Sequence, residues 1–329
     1  MKQFDHLSIG TLRLASPVFL APMCGVCDRA YLEICRDIDP VSPLATEMVS
    51  ANGLVHGGRN TTEMIDFQTV RGPVMIQIFG HDTQALATGS RMIEDAGVDL
   101  ISMNFGCPAK KIVKNCDGAY LLKTPEKIGE LVEACVKATR LPMVCKMRLG
   151  WDDDSRNYLT VARIIEEAGA HSIAVHGRTR EQGYSGEADW AAIKEIAAAA
   201  SIPIIGNGDI DSPETARSRM LQTGVAGVMV GRAAMGNPWL LARTKHYLTT
   251  GELLPEPSPS ERLSVAIRHA EKLIAYKGER VGVFECRKHL AWYTSGLPRS
   301  AELRQRINAA KTPDEMMACL GTHLHPLAA

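Results

Sequence analysis

The sequence predicts an α/β protein built on a closed barrel of eight parallel strands, with a small all-helical domain after it. Short apolar, β-branched runs alternate with amphipathic helical patterns, which is typical of consecutive β/α units. There are eight such runs, and 329 residues suffice for one barrel of about 250 residues and an appendage. An open doubly wound sheet ranks second because no Gly-x-Gly-x-x-Gly turn follows the first run. We therefore predict a (β/α)8 TIM barrel.

Each predicted element follows from its residues in chain order. The predicted strands are Val18–Ala21, Leu44–Glu47, Val74–Ile78, Leu100–Asn104, Met143–Met147, Ser172–Val175, Ile204–Gly206 and Gly227–Val230. The predicted helices between them include Asp82–Asp95, Pro125–Thr139, Arg156–Ala168, Ala188–Ala199 and Pro213–Thr223. Several of these helices are followed by glycine, the residue that most readily takes the left-handed conformation at a helix end.

Composition divides the chain into three predicted segments: a barrel over residues 1–250, a Pro-rich linker over 251–259 and a helical domain over 260–329. From Glu261 to Ala310 there are ten Lys and Arg against five Asp and Glu, a local charge of +5. The rest of the chain has 27 against 32, so the net charge is zero. This balance argues against a globally basic nucleic-acid binder but permits a basic face on the helical domain.

The bulk composition indicates a globular protein in a reducing compartment. Hydrophobic residues make up 45% and charged residues 22% of the chain, which is ordinary for a protein with a large core. The start of the sequence lacks a signal-peptide pattern, and no apolar stretch has membrane-spanning length. We therefore expect a cytoplasmic protein whose nine cysteines serve as thiols, ligands or catalytic groups rather than disulfides.

The predicted carboxyl ends of the strands are unusually polar. In a β/α barrel the active site lies at this end, so side chains there converge on one rim. The polar residues at or just after the strand ends are Glu47, Gln77, Asn104, Cys107, Lys146, Arg148, His176, Arg178, Asn207, Asp209 and Arg232. A single polar residue there would usually be structural, but so many would be costly to bury unpaired, at about 1–3 kcal/mol each.

The last two strand ends suggest a phosphate site. Gly208 and Gly231 allow backbone N–H groups to approach an anion closely, and Arg232 can bind it through its guanidinium. Barrels commonly bind phosphate at these two loops. Together with Asn207 and Asp209, these residues predict a phosphorylated cofactor.

Five segments together resemble the tRNA-dihydrouridine synthases, and the similarity is closest to the bacterial B subfamily. The segments are Ala21-Pro22-Met23, Asn104-x-Gly106-Cys107-Pro108 followed by Gly118 and Leu121-Leu122, Lys146-x-Arg148-x-Gly150-Trp151, His176-Gly177-Arg178-Thr179 and Asn207-Gly208-Asp209. The resemblance runs from about Ile9 into the C-terminal helices. Its most specific part is the segment that contains Cys107, because it combines a thiol with a loop of the right length after the fourth strand.

The resemblance implies an FMN-bound barrel that is reduced by NADPH and a helical domain that binds tRNA. Hydride would pass from FMN N5 to uracil C6, Cys107 would protonate C5, and Asn104 would orient the uracil. The implied FMN contacts are Pro22, Met23, Cys24, Gln77, Lys146 and His176, with the phosphate on Asn207, Gly208, Asp209, Gly231 and Arg232. The implied RNA contacts are Arg148, Arg178, Arg287, Lys288, Arg299, Arg304 and Arg306.

Other functions remain compatible with the residues. A small-molecule flavoenzyme, such as a pyrimidine dehydrogenase, would use the same rim but would leave the basic helices without a role. A non-catalytic RNA-binding protein would not need Cys107, and a synthase could act on an RNA other than tRNA. The sequence does not specify which uridine is reduced. A monomer is the default, with no membrane and no obligate protein partner expected.

The first loop departs from the family pattern. Cys24, Cys27 and Cys35 resemble a metal or iron–sulfur ligand set, with Cys116 or Cys286 as a possible fourth ligand. Such a cluster would pass electrons to FMN in place of NADPH. The favoured interpretation is three unrelated thiols, two of them packed, and no metal.

Overall fold

The computed structural model describes residues 4–324 and contains the predicted closed barrel. Two short antiparallel strands, β1 (Leu7–Ile9) and β2 (Leu12–Leu14), form a hairpin that the sequence reading missed. The barrel strands are β3 (Val18–Leu20), β4 (Leu44–Ser50), β5 (Val74–Phe79), β6 (Leu100–Phe105), β7 (Met143–Arg148), β8 (Ser172–His176), β9 (Ile204–Asn207) and β10 (Gly227–Val230). All eight predicted strands are confirmed.

The strands are parallel and pair in sequence order, and β10 pairs with β3 to close the barrel. The closing register sets Val228 opposite Val18. The register shifts between Ala45 and Met48 of β4, and β4 extends three residues beyond its predicted end at Glu47. The fold class predicted from the alternation of strand and helix patterns is therefore the observed one.

The barrel interior is packed and not hollow. Each strand contributes one apolar side chain to a buried central layer: Phe19, Ala45, Met75, Leu100, Val144, Ala174, Ile205 and Met229. Leu7, Ile9 and Leu14 of the β1–β2 hairpin join the same cluster. Apolar side chains of the hairpin thus extend the core. In a β/α barrel the active site lies at the carboxyl ends of the strands.

Helices surround the barrel and follow it. The α-helices are α1 (Arg29–Ile38), α2 (Ala51–Val55), α3 (Arg59–Glu63), α4 (Thr83–Asp95), α5 (Lys110–Lys114), α6 (Pro125–Ala138), α7 (Tyr158–Glu167), α8 (Trp190–Ala199), α9 (Pro213–Thr223), α10 (Trp239–Thr250), α11 (Pro259–Lys277), α12 (Glu279–Tyr293), α13 (Ser300–Ala309) and α14 (Pro313–Leu324). The five predicted helices are present with ends shifted by at most two residues. Within residues 4–324, no helix combines the length and the apolar character needed to cross a bilayer.

The predicted linker ends one residue earlier than expected, because Pro259 is already the first residue of α11. Ser258 caps this helix, and Ser258 and Glu261 exchange hydrogen bonds in a capping box. Proline suits the first helical position, where its missing N–H leaves no bond unmade. Residues 325–329 of the predicted helical domain, and residues 1–3, lie outside the described part of the chain.

The C-terminal helices pack on α1 of the barrel. Ala30 and Ile34 of α1 belong to the same buried cluster as the apolar side chains of α11 to α14. At the edge of this contact Glu33 accepts hydrogen bonds from Lys272 Nζ at 2.7 Å and Tyr276 Oη at 2.6 Å. Burial alone would raise the pKa of Glu33, but these bonds outweigh it and lower the pKa. A charged Glu33 therefore helps to fix the helices on the barrel.

Asp28 at the start of α1 gives a testable pH dependence of stability. Its carboxylate caps the helix by accepting from Tyr31 N at 3.0 Å. Burial, with Glu47 and Glu285 nearby, raises the pKa of Asp28 from 3.8 to about 6. The unfolded chain therefore loses this proton at a lower pH than the folded chain. The resulting cost to folding grows as the pH rises from 3.8 to about 6, and it is constant above that range.

We expect Asp28→Asn to increase the free energy of unfolding by about 1–3 kcal/mol at pH 8, because the amide keeps the cap and removes the buried charge. At pH 4.5 the gain is expected to fall below half, because there the wild-type carboxyl is largely protonated in the folded state. Urea unfolding at both pH values measures this difference. A gain that is equal at both pH values would contradict the assignment.

Candidate active site

An open cavity of about 1040 Å³ lies at the carboxyl ends of the barrel strands. Side chains two residues apart on a strand point to the same face, so residues two positions beyond the apolar layer also point inward. At these positions stand Gln77 on β5, Ser102 on β6, Lys146 on β7, His176 on β8 and Asn207 on β9. All but Ser102 line the cavity. The interior therefore changes from apolar to polar toward the site.

The loop after β6 brings the predicted thiol into the cavity. Cys107 is half-buried and lines the cavity wall. Its backbone N–H donates to Asn104 Oδ1 at 2.9 Å, and Gly106 N donates to the same oxygen at 3.0 Å. Asn104 Nδ2 in turn donates to Gln77 Oε1 at 2.6 Å. The amide of Asn104 thus fixes the loop that carries the thiol.

The environment of Cys107 keeps its proton on sulfur. Burial raises the pKa of the thiol, while a backbone hydrogen bond from Ala109 and the nearby Arg148 and Lys146 oppose part of that rise. A protonated thiol is a poor nucleophile but can donate a proton. The two cations would also stabilise the thiolate that remains after donation. The arrangement therefore favours a general acid that regains its proton after each reaction.

Lys146 is a half-buried amine that faces the cavity without an acidic partner. Its Nζ donates to Asn207 Oδ1 at 3.0 Å, and Asn207 Nδ2 donates to Met229 O at 2.8 Å. Burial, with Arg148 nearby, lowers the pKa of Lys146 to about 7. Among residues 4–324 no carboxylate lies within ion-pair distance of its Nζ. This group is suited to an electron-rich or anionic ligand.

His176 is the other titratable group at the predicted cofactor face. It is buried and lies beside Arg178, whose Nη1 is 3.4 Å from His176 Nε2. Burial lowers the pKa of His176, and the surrounding cations, first Lys146, lower it further. The imidazole is therefore neutral at physiological pH and can exchange hydrogen bonds with a ligand.

The loops after β9 and β10 form the predicted phosphate site. Gly208 and Asp209 both have positive φ, +132° and +52°, and a Cβ at Gly208 would overlap the side chain of Ala188. The backbone N–H groups of Gly208, Asp209 and Arg232 have no hydrogen-bond partner among the described residues. Adjacent free N–H groups beside an arginine form a suitable cradle for an anion.

Within this cradle the side chain of Asp209 is paired with two arginines. Its carboxylate accepts from Arg178 Nη2 at 2.7 Å and from Arg232 Nη2 at 3.1 Å. Although partial burial would raise the pKa of Asp209, the hydrogen bond from Arg178 lowers it. A carboxylate repels phosphate, so the side chain of Asp209 positions Arg232, and only its backbone N–H is available to an anion.

Arg148 and Arg178, predicted to contact RNA, are both buried and hydrogen-bonded to loops. Arg148 donates from Nε to Gly106 O at 2.7 Å and from Nη1 to the carbonyl oxygens of Thr179 and Gly183. Arg178 donates from Nε to Ser185 O at 3.0 Å besides its ion pair with Asp209. RNA contact by Arg178 would require this network to open. Arg148 does line the cavity and can still face a bound base.

The predicted cofactor contacts otherwise converge. The cavity is lined by Pro22, Met23, Cys24, Gln77, Lys146, His176, Asn207, Gly208, Asp209, Gly231 and Arg232. The predicted RNA contacts on the helices lie outside the cavity lining. Arg299 and Arg306 are exposed, Arg304 and Lys288 are half-buried, and Arg287 donates to Ala310 O at 2.9 Å.

Tyr184, which no sequence pattern indicates, lies on the cavity rim with 58% of its surface exposed. The guanidinium carbons of Arg232 and Arg148 lie 4.9 and 5.5 Å from the centre of its ring. Its segment is an irregular loop with no periodicity and no motif. Only the two flanking arginines, far from it in sequence, identify its position.

The cysteines of the first loop do not assemble into a metal site. Within residues 4–324 no three His, Cys, Asp or Glu side chains come together as a ligand set. Cys27 is buried, with its Sγ 3.3 Å from Ala21 O, whereas Cys24 and Cys116 are exposed. Burial raises the pKa of Cys27, and that of Cys35 to about 12, so both are packed thiols.

The fold and the site together define a β/α-barrel enzyme with a protonated thiol in an open cavity beside an anion cradle. The chain belongs to the dihydrouridine synthase family, which it matches over residues 19–326. A tRNA-dihydrouridine synthase B from Xanthomonas axonopodis pv. citri is 39% identical over 323 residues, covering 98% of this chain and 97% of that protein. One from Pseudomonas aeruginosa is 39% identical over 310 residues, covering 94% and 93%. The resemblance to the B subfamily is thereby confirmed.

Likeness to solved structures extends to the fold. A variant of NCR from Zymomonas mobilis superposes with a TM-score of 0.56 at 15% identity, covering 77% of this chain and 93% of that one. At this identity the likeness establishes a shared barrel architecture and carries no argument about substrate.

Proposed function

We propose that this protein reduces uridine in tRNA to 5,6-dihydrouridine, with FMN in the barrel cavity and NADPH as the electron donor, in the cytoplasm. The observation that carries the proposal is the protonated thiol of Cys107 in the cavity wall, near the Lys146 amine, which has no acidic partner. Family membership supports the reaction. A carbon–carbon double bond in a pyrimidine ring is reduced by a hydride and a proton, and the chain offers an acid for the second.

The residues of the cavity fit FMN. The cradle formed by the backbone N–H groups of Gly208, Asp209 and Arg232 suits the phosphate, and Lys146 and Gln77 suit the polar pyrimidine edge of the ring system. A neutral His176 and an unpaired Lys146 are groups that gain partners when such a ligand binds. When bound, FMN would supply the hydride that is added to C6 of uracil.

Cys107 then performs the second half of the addition. Hydride addition at C6 leaves an enolate-like carbon at C5, which the Cys107 thiol protonates as its S–H bond breaks. The resulting thiolate is stabilised by Arg148 and Lys146, the two cations that oppose the rise in its pKa. A solvent proton restores the thiol for the next turnover. Asn104, through its bonds to the loop, sets the direction from which the proton arrives.

The substrate base must leave its stack to reach this thiol. Extruding a base costs a few kcal/mol, of order what phosphate contacts by a basic surface can offset. Cationic side chains outside the cavity that can make these contacts are Arg287, Lys288, Arg299, Arg304 and Arg306. A domain that binds folded RNA therefore complements a barrel that modifies one base.

The test is reconstitution with purified protein, FMN, NADPH and an unmodified tRNA transcript. Mass spectrometry of the digested RNA is expected to show a gain of two mass units in one or a few uridines. Free uridine, orotate and a ribosomal RNA fragment serve as parallel substrates. Reduction of the free pyrimidines with tRNA unchanged would overturn the proposal in favour of a small-molecule oxidoreductase. Efficient reduction of the ribosomal fragment alone would identify ribosomal RNA, and not tRNA, as the substrate.

Asn104 gives a further prediction. We expect Asn104→Ala to lower stability by about 1–3 kcal/mol, because the N–H groups of Gly106 and Cys107 lose their acceptor. Single-turnover dihydrouridine formation is expected to fall at least tenfold because the thiol is no longer held in place. Thermal unfolding and rapid-quench assays measure the two effects. Asn104→Asp keeps the acceptor and is expected to recover part of the stability, and an Ala variant as stable as wild type would contradict this role.

A further inference from the structure

The outer face of α12 carries an exposed aromatic side chain surrounded by cations. Phe284 has 68% of its surface exposed, and Val281, one turn before it, has 48% exposed. Residues four positions before and three and four positions after Phe284 share its helix face. These positions hold Arg280, Arg287 and Lys288, and the guanidinium carbon of Arg287 lies 5.5 Å from the ring centre.

The fold does not bury the aromatic side chain on this face. The opposite side of α12 packs into the helical core through Val283, Cys286 and Leu290, all at most 2% exposed. Phe284 is absent from every buried cluster of the described residues. Phe284 therefore contributes nothing to the buried core, and its ring is available to a ligand.

The face also leads to the cavity. Lys288, one turn after Phe284 and about 6 Å further along the helix axis, reaches the first barrel loop. There its Nζ lies 3.3 Å from the position that a Cβ on Gly25 would take. The neighbours of Gly25, Cys24 and Val26, line the cavity. Phe284 is thus one helical turn from a side chain that reaches a loop at the cavity rim.

The charge around Phe284 identifies the kind of ligand. The three cations on its face bear no ion pair among the described residues, and the one hydrogen bond that Arg287 makes goes to the uncharged carbonyl of Ala310. The acidic neighbour Glu285 is half-buried and raises the pKa of Asp28 and Cys286, so it acts on the barrel side of the helix. An aromatic face among unpaired cations suits single-stranded nucleic acid, because the ring stacks on a base while the cations contact phosphates.

We propose that Phe284 stacks on an unpaired base of the RNA substrate, next to the uridine that enters the cavity, with Arg280, Arg287 and Lys288 contacting the flanking phosphates. This inference rests on the proposed function for the identity of the RNA. It assigns to α12 recognition of an unpaired loop and not of a double-stranded stem. A stacked anchor near the cavity would also hold the RNA while the neighbouring base is extruded.

The test compares Phe284→Ala with Phe284→Trp and with Leu221→Ala, which removes a 48% exposed side chain from the outside of the barrel. Binding of an unmodified tRNA transcript to FMN-loaded protein is measured by fluorescence anisotropy, with a blunt RNA duplex as a second probe. Phe284→Ala is expected to weaken tRNA binding about tenfold. The Trp and Leu221 variants are expected to bind like wild type. Duplex binding and the rate of flavin reduction by NADPH are expected to stay unchanged in all three.

A photoreactive benzoylphenylalanine at position 284 locates the contact. We expect a crosslink to an unpaired nucleotide of the tRNA close to the reduced uridine. Wild-type affinity in Phe284→Ala, an equal loss of duplex binding, or crosslinks to stem nucleotides or to protein would overturn the inference. Binding is measured without turnover, so its outcome is separate from the proposed function. A protein that makes no dihydrouridine but needs Phe284 to bind tRNA would refute the proposed function and leave this inference standing.

Discussion

Cys107→Ala is expected to reduce dihydrouridine formation by about 10²–10⁴-fold, the range for loss of a general acid. The thiol lies in the cavity wall, and burial raises its pKa so that it carries its proton at neutral pH. The thiol has one backbone hydrogen-bond partner, Ala109, whereas the loop is fixed mainly by the backbone N–H groups that donate to Asn104. Stability and FMN content are therefore expected to stay close to wild type. Rapid-quench assays on reduced, FMN-loaded protein measure the chemical step.

Cys116→Ala is the matched control, because Cys116 is a free, exposed cysteine on the same segment. It is expected to react at the wild-type rate. Cys107→Ser is expected to be slow as well, since a hydroxyl is a weaker acid than a thiol. Reaction of Cys107→Ala within threefold of wild type would remove the thiol from the mechanism, and equal loss in both alanine variants would indicate damage to the loop.

Lys146→Met is expected to slow flavin reduction by NADPH about 100-fold, the loss typical when a preorganised charge that stabilises a developing anion is removed. The FMN-free variant is expected to be at least as stable as wild type at pH 7. Burial lowers the pKa of Lys146 from 10.5 to about 7, so the unfolded chain binds this proton more tightly. The resulting cost to folding is fully present below pH 7, declines as the pH rises from 7 to 10.5 and is absent above that range.

Lys194→Met, on the exposed side of α8, is the control for exchanging a lysine for methionine. It is expected to change neither flavin reduction nor stability. Stopped-flow absorbance follows the flavin, and urea unfolding without FMN follows stability. A Lys146→Met protein that is destabilised before FMN is added would show that the lysine is a structural group and not a ligand for the cofactor.

The barrel was predictable because its signal is local. Strands buried on both faces require continuous apolar runs, and eight of them are visible between helical patterns. The site was visible for a related reason, since polar residues such as Lys146 and His176 interrupt those runs only at their carboxyl ends. The alternation of side chains along a strand then determines that these side chains point inward.

The roles of individual residues were less predictable, because partners come from distant parts of the chain. Orientation of the base by Asn104 stays a prediction, and its bonds to its own loop and to Gln77 on the neighbouring strand were not foreseen. Arg178 was predicted to contact RNA, but it is paired with Asp209, 31 positions later. Neither pairing has a sequence pattern, since hydrogen-bond geometry depends on the barrel register.

The packing of the C-terminal helices also could not be predicted from the sequence. Ile34 belongs to α1, a helix that follows the first barrel strand, yet it packs in the core of the C-terminal helices. Helix patterns show which face is apolar but not which partner covers it. The β1–β2 hairpin was missed because strands of three residues are too short to show a periodicity.

The central claim is that a flavin and the Cys107 thiol act together on one uracil in this cavity. A single anaerobic turnover tests it most directly: protein with fully reduced FMN is mixed with excess unmodified tRNA, and flavin absorbance and dihydrouridine are measured in the same sample. We predict one dihydrouridine formed for each flavin oxidised, and neither product at a comparable rate in Cys107→Ala. A protein that binds no FMN, or one whose flavin is oxidised by tRNA without forming dihydrouridine, would contradict the account.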